Sequence, residues 1–181
     1  MRVIAGKCRS LPLKAPKGMD TRPTQDRIKE TLFNMLQNDI PQCIFIDLFA
    51  GSGGIGIEAL SRGASKAYFV EHGKEAFSCI EENLKFTKLD TYAKCIKGDV
   101  FSALHMINED TVDIIFADPP YNEGVEDRLL NSLNGLKYVS DDTIIIIEAL
   151  IDNEIESEYF EVIKEKKYKT NKHVFLRRKN G

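Results

Sequence analysis

The chain has little that would place it in a membrane or an oxidising compartment. Its densest apolar run, Ile144-Ile145-Ile146-Ile147, is far shorter than the roughly 18 residues a spanning helix needs, so it reads as a buried strand. The N-terminus lacks the apolar segment of a secretory signal, which makes the cytoplasm the default location and a membrane partner unexpected. Only four cysteines occur, at 8, 43, 79 and 95, without any C-x-x-C pair. That excludes a disulfide framework and a zinc knuckle, leaving buried reduced thiols as the expectation. The three histidines, His72, His105 and His173, form no H-x-x-x-H spacing, and no metal is expected. There is no internal repeat and no low-complexity segment. What remains is 181 residues, 43% hydrophobic and 29% charged, the profile of one globular domain with room for an appendage.

The net charge of −3 conceals an asymmetry. Residues 1–29 carry eight basic side chains against Asp20 and Asp26, a net of +6. Residues 164–181 carry eight more against Glu165 alone, a net of +7, which leaves −16 for the middle. Basic ends around an acidic body suggest a polyanionic partner held by the termini, because Lys and Arg displace counterions from phosphates. Solvated surface charge is the plainer reading.

Residues 2–17 alternate loosely and are punctuated by Gly6, Pro12 and Pro16, which reads as a small hairpin or extended arm. Thr21-Arg22-Pro23-Thr24 leads into a helix with Thr24 as a candidate N-cap and Ile28, Leu32, Met35 and Leu36 on one face. Strand and helix patterns then alternate. Strands are expected over residues 43–49, 66–70, 93–97, 112–117 and 143–149, with helices over 54–62, 74–86, 101–107 and 125–136. Alternation of this kind implies a mostly parallel sheet with helices on both faces. Two last strand-like runs, residues 158–167 and 173–178 around a polar loop at 168–172, read as an antiparallel hairpin closing a seven-stranded sheet. Residues 1–23 form the arm in this division, and residues 24–181 the α/β, Rossmann-like domain.

The first strand runs into Asp47-Leu48-Phe49-Ala50-Gly51-Ser52-Gly53-Gly54-Ile55-Gly56, with glycines at 51, 53 and 56 in the spacing of an adenosine-cofactor turn. On this stretch alone the ligand could be a nicotinamide, a flavin or another adenosine-containing cofactor. Asp47, Glu71, Asp99 and Asp118 each end, or nearly end, a strand, where open parallel sheets bind ligands. Any one of them alone would be read as a cap or turn residue. Glu71 lies 20 residues after Gly51, where an acid suits a ribose hydroxyl. Asp118-Pro119-Pro120-Tyr121 discriminates further, because two prolines fix the backbone and remove two N–H donors. The Asp118 carboxylate and the Pro119 carbonyl could both accept from one amino group, and Tyr121 offers a face on which a base can stack. A hydride-transfer site has no evident need of this turn. A methyltransferase acting on adenine in DNA or on a protein amide would use it equally well. A non-catalytic RNA-binding assembly factor would need only the basic ends.

These residues resemble the Rossmann-like S-adenosylmethionine-dependent methyltransferases. Arg2-Val3-Ile4-Ala5-Gly6-Lys7, Thr21-Arg22-Pro23-Thr24, the glycine turn and Ala59-Leu60-Ser61-Arg62-Gly63-Ala64 are, in that order, similar to the RsmD family of bacterial 16S ribosomal RNA guanine-N2 methyltransferases. The resemblance covers nearly the whole chain. The family often has a Tyr-Gly turn followed by Thr where this chain has Tyr168-Lys169-Thr170, and His72-Gly73 also departs from its pattern. The resemblance implies S-adenosylmethionine as cofactor, with Phe49, Gly51, Gly53 and Gly56 around its methionine part and Asp47 near its amino group. It implies Glu71 on the ribose hydroxyls, Asp99 on the adenine amine, and Asp118, Pro119 and Tyr121 as the catalytic turn, with Asp118 also among the cofactor-binding residues. It further implies 16S ribosomal RNA as partner, within an assembling small subunit, and a monomer gripping it through Arg2, Lys7, Arg9 and Arg22.

Overall fold

The computed structural model describes residues 1–18, 23–121 and 124–180. Seven strands form one sheet: β1 (Ile44–Leu48), β2 (Lys66–Glu71), β3 (Ala93–Lys97), β4 (Ile114–Ala117), β5 (Ile144–Leu150), β6 (Phe160–Lys167) and β7 (Asn171–Arg178). Their spatial order is β3-β2-β1-β4-β5-β7-β6, with β1 to β5 mutually parallel and β7 antiparallel to both its neighbours. The order reverses between β1 and β4, so the chain leaves these two strands in opposite directions and opens a crevice beyond their carboxyl ends.

Five helices cover the two faces: α1 (Pro23–Met35), α2 (Gly54–Ser61), α3 (Lys74–Thr87), α4 (Val100–Ala103) and α5 (Val125–Asn134). The alternation of strand side chains makes two cores. Phe45, Phe69, Ile114, Phe116 and Ile146 pack under α1, α2 and α3, while Ile46, Leu48, Ile115, Ile145 and Ile147 pack under α4 and α5. No helix among the described residues is long and apolar enough to cross a membrane.

Several expected boundaries move. Thr24, expected as an N-cap, lies inside α1, which begins with Pro23 at the position where a missing N–H is harmless. The helix expected over 101–107 is a four-residue α4 followed by a 3-10 turn at Leu104–Met106. Asn171 and Lys172, expected in the last loop, are paired strand residues opposite Leu150 and Ala149. Cys8 and Cys43 are buried thiols, whereas Cys79 and Cys95 are half-buried. Burial pushes Cys43 up to about 12, so it is inert at neutral pH.

The N-terminal arm folds back on itself through backbone bonds from Val3 to Leu11, Ser10 to Val3 and Leu13 to Met1. Val3, Cys8 and Leu13 are buried in the core beneath α1 to α3. Gly6 has φ +86°, and a Cβ there would lie 2.0 Å from the Ser61 carbonyl oxygen, so the arm seats on α2 only with glycine at this position.

Beneath the arm, the fully buried Glu58 of α2 accepts N–H bonds from Ile4 (2.9 Å) and Ala5 (3.0 Å) and pairs with Lys29 (3.2 Å) and Arg62 (2.8 Å). Burial lowers the Lys29 pKa, with the Glu58 carboxylate opposing it. Part of the basic charge counted at the two termini is therefore internal. Lys29 serves Glu58, the buried Lys172 pairs with Glu165 at 3.0 Å, and Arg178 bonds Asn134 and the Val139 carbonyl.

Candidate active site

The strand ends bring Asp47, Glu71, Asp99 and Asp118 to one side of the sheet, as expected from their positions. A fifth acid, Glu148 of β5, joins them. The register Ala117↔Ile147 makes Glu148 the neighbour of Asp118, one residue further along each strand. Glu148 was legible by the same rule as Asp47, Glu71 and Asp118, an acid directly after an apolar run, but it was hidden inside a strand drawn through residue 149.

Two of these carboxylates build the glycine turn. Asp47, almost fully buried, accepts the Gly56 N–H at 2.9 Å. Glu71 accepts from Gly51 N–H and Gly73 N–H, both at 2.8 Å, and so ties the turn to the loop after β2. His72 Nδ1 lies 3.6 Å from the same carboxylate. Burial drives Asp47 well upward, and the Gly56 N–H only partly offsets it, with Asp118 and Glu71 adding like charge.

Phe49 adopts φ +55°, an unfavourable left-handed conformation for a bulky residue, held where the strand bends into the turn. The glycines have separate duties. A Cβ on Gly56 would come within 2.4 Å of the Phe69 ring, so this glycine allows α2 to pack on β2. Gly53 caps α2 with φ +84°, while Gly51, at φ +59°, faces open space where a ligand can approach. Gly54 packs on Met1, whose sulfur would lie 2.2 Å from a Cβ there. The buried Asn83 joins arm and turn as well, bonding the Lys14 carbonyl and the Ser52 carbonyl.

Asp99 has a structural duty as well. Its exposed carboxylate caps α4, accepting from Ser102 N–H at 3.1 Å. Any contact with an adenine amine would share it with this cap.

On the other side of the crevice stands the Asp118 turn. Asp118 is open to solvent at the cleft mouth, yet enough protein surrounds its carboxylate to push it up to about 7, with Glu148 adding like charge. Pro119 is buried and Tyr121 is 60% exposed. Burial raises the Tyr121 hydroxyl, with Asp118 and Glu148 adding like charge. It also borders a cavity of about 320 Å³ lined by Gly124, Glu126, Leu150, Asn153 and Ile155. A larger hollow of about 520 Å³, beside Asp127, Asn131 and Glu156, contains none of the expected site residues.

An acid-rimmed cleft suits a cationic ligand and disfavours a pyrophosphate. Moreover, the N–H groups of Ala50, Gly51, Gly53 and Gly56 are already bonded to protein oxygens, which removes donors a dinucleotide would use.

A family model described as Conserved hypothetical protein 95 matches residues 1–177. The chain belongs to this family, the RsmD family. Ribosomal RNA small subunit methyltransferase D of Escherichia coli (strain K12) is 33% identical over 153 residues, covering 84% of this chain and 76% of that protein. YlbH of Bacillus subtilis (strain 168) is 39% identical over 158 residues, covering 86% and 85%. The solved structure of yhhF from Escherichia coli superposes with a TM-score of 0.85 at 29% identity, covering 100% of this chain and 99% of that one. The fold is that of the Rossmann-like methyltransferases.

Of the basic residues expected to hold RNA, Arg2, Lys7 and Arg9 are exposed along the arm, and Arg22 lies outside the described residues. Arg2 is 3.8 Å from Asp26, and the Lys7 ammonium stands 4.5 Å over the Tyr92 ring.

Proposed function

We propose that this RsmD-family protein transfers a methyl group from S-adenosylmethionine to the exocyclic N2 of a guanine in 16S ribosomal RNA, within an assembling small subunit. The observation that carries this reading is the Asp118-Pro119-Pro120-Tyr121 turn, which follows β4 at the same end of the sheet as the glycine turn that follows the neighbouring β1. The Escherichia coli relative, by name a ribosomal RNA small-subunit methyltransferase, supports the substrate class.

The residues present fit the cofactor. Gly51 leaves space beside the turn, and the acidic rim suits a sulfonium and an ammonium group. Phe49, Gly51, Gly53, Gly56 and Asp47 would hold its methionine part, Glu71 its ribose and Asp99 its adenine side. Bound there, it supplies an electrophilic methyl group.

The guanine amine is a poor nucleophile because its lone pair is delocalised into the ring. The Asp118 carboxylate and the Pro119 carbonyl accept its two N–H bonds and turn the lone pair toward the methyl, and holding the reactants in line removes much of the entropic barrier. Tyr121 stacks on the base once it is turned out of its helix. Its exposure is what this role requires and what a packed core tyrosine would lack. Tyr121→Ala is expected to reduce activity well beyond Tyr121→Phe, since stacking is worth about 1–3 kcal/mol per base. Equal losses in the two variants, measured as kcat/KM, would remove stacking from the account.

We propose residues 1–23 as the RNA-gripping arm on the domain formed by residues 24–181. With Met1 against Gly54, the exposed Lys7 and Arg9 lie on a segment that reaches the cofactor turn. The double variant Lys7→Glu, Arg9→Glu should raise KM for RNA and flatten its dependence on salt, by about 0.7 in the log–log slope for each lost phosphate contact. An unchanged slope would detach the arm from RNA binding. Offering labelled S-adenosylmethionine with DNA, protein and small-subunit particles tests the substrate class. Label should enter the particle RNA, and label in DNA or protein would overturn the reading.

A further inference from the structure

Glu148 lies within β5 near its carboxyl end, one position past the Ala117–Ile147 pair and so beside Asp118, and both of its carboxylate oxygens are held. Oε1 lies 2.7 Å from His173 Nε2, and Oε2 accepts from Asn171 Nδ2 at 3.1 Å. His173 is itself almost fully buried, and its Nδ1 lies 2.8 Å from the Tyr168 hydroxyl. Its ring meets Phe116 and Tyr168 edge-on, with centroids 5.8 Å and 5.1 Å away. The hydrogen-bond network assigns the imidazole proton to Nε2, facing the carboxylate, and leaves Nδ1 to accept from Tyr168. Nothing in the packing of β5 on β7 requires a buried polar chain here, because Ile145, Ile146 and Ile147 pair with Leu176, Phe175 and Val174. The chain instead sets a hydrogen-bonded carboxyl group beside the Asp118 turn.

We propose that Glu148, locked by His173 and Asn171, is a positioning residue that keeps the Asp118 carboxylate a proton acceptor for the amine being methylated. This rests on the reading of the site as an amine methyltransferase. As the new N–C bond forms, the donor C–S bond breaks with its electron pair left on sulfur. Nitrogen then carries a surplus proton. The N–H pair stays on nitrogen, the proton passes to Asp118, and from Asp118 it leaves to water. A carboxylate of ordinary acidity would be a weak acceptor in this step. Burial makes Asp118 a stronger one, and the like charge of Glu148 on the adjacent strand adds to it.

Among the described residues, the titratable groups around Glu148 and Asp118 are Asp47 from β1, Tyr121 after β4, and Tyr168 and His173 from the β7 side. Burial raises Asp118, Tyr121 and Tyr168, and the Glu148 charge adds to the rise of each. The sign is then fixed. Asp118 must be ionised to accept a proton, so kcat/KM rises as pH climbs through about 7. Removing the Glu148 charge lets Asp118 ionise at lower pH but makes it the weaker base.

Carboxyl ¹³C NMR titration of the free protein, with Asp118→Asn to identify the signal, tests this without substrate or cofactor. The Asp118 midpoint should lie near 7 and fall by about one pH unit in Glu148→Gln, the scale on which close carboxylates couple. Asn171→Ala, which frees one oxygen of Glu148, should move the midpoint in the same direction by less. In the methyl-transfer profile of Glu148→Gln, the acid limb should follow the midpoint down and the plateau should drop. An unmoved midpoint in both variants would overturn the proposal whatever the substrate proves to be. A moved midpoint with no labelling of particle RNA by wild-type protein would instead overturn the substrate reading alone.

Discussion

Asp118→Ala should lower methyl transfer by roughly 10²–10³-fold, the usual loss when one preorganised electrostatic partner of a transition state is removed, about 2.7–4 kcal/mol. The effect should fall on kcat, because the carboxylate matters most as positive charge develops on nitrogen and less when the neutral amine first binds. Cofactor affinity should survive, since Asp47, Glu71 and the glycine turn stand on β1, β2 and the loops after them, across the crevice from the substitution. Asp118→Asn keeps an acceptor oxygen but no charge, so it should retain more geometry than basicity and fall between alanine and wild type. Isothermal titration with the cofactor and single-turnover rates with a small-subunit particle separate the two effects. Near-wild-type turnover in Asp118→Ala would take the Asp118 turn out of the chemistry.

Glu58→Ala should be the most destabilising single change in the arm and its seat. The carboxylate satisfies two arm N–H groups and two cations at once, and it is fully buried. Truncation leaves the buried Lys29 ammonium facing only the Arg2 carbonyl, 2.6 Å away. Removing one member of a buried ion pair typically costs about 3–5 kcal/mol, mostly for the charge left behind. Because Ile4 and Ala5 are released together, the arm should loosen before the sheet does. Denaturant unfolding should therefore show the loss, and amide exchange should show the arm opening first. The double variant Lys29→Met, Glu58→Gln removes the stranded charge and should recover part of the stability. Loss below about 1 kcal/mol in Glu58→Ala would mean that Lys29 finds water, and that this network does not hold the arm.

The parts of the fold set by local pattern were legible in the sequence. β3 falls where its alternation put it, and α2 and α3 begin at Gly54 and Lys74 as their apolar spacing required. Thr24, Asn171 and Lys172 were misplaced because pairing and packing, rather than composition, decide where an element ends. The candidate site was legible as a set of strand-end acids and one proline turn. Which oxygen bonds which N–H was not, since Asp47 to Gly56 and Glu71 to Gly51 are closed by the tertiary fold. Charge misled most. Lys29, Lys172 and Arg178 look like solvated basic residues in the sequence, yet each is turned inward by a partner 27 to 44 positions away, or seven across the β6–β7 hairpin. Glu148 and His173 are 25 residues apart and become neighbours only because β7 returns antiparallel to β5.

The central claim is that the Asp118 turn methylates a guanine amine in small-subunit ribosomal RNA. Mass mapping of methylated guanines in that RNA, from cells with the protein, without it, and with only Asp118→Ala, tests the claim most directly. One N2-methylguanine is expected that is present with the wild-type protein and missing or nearly so in the other two. An unchanged guanine map across all three would contradict it.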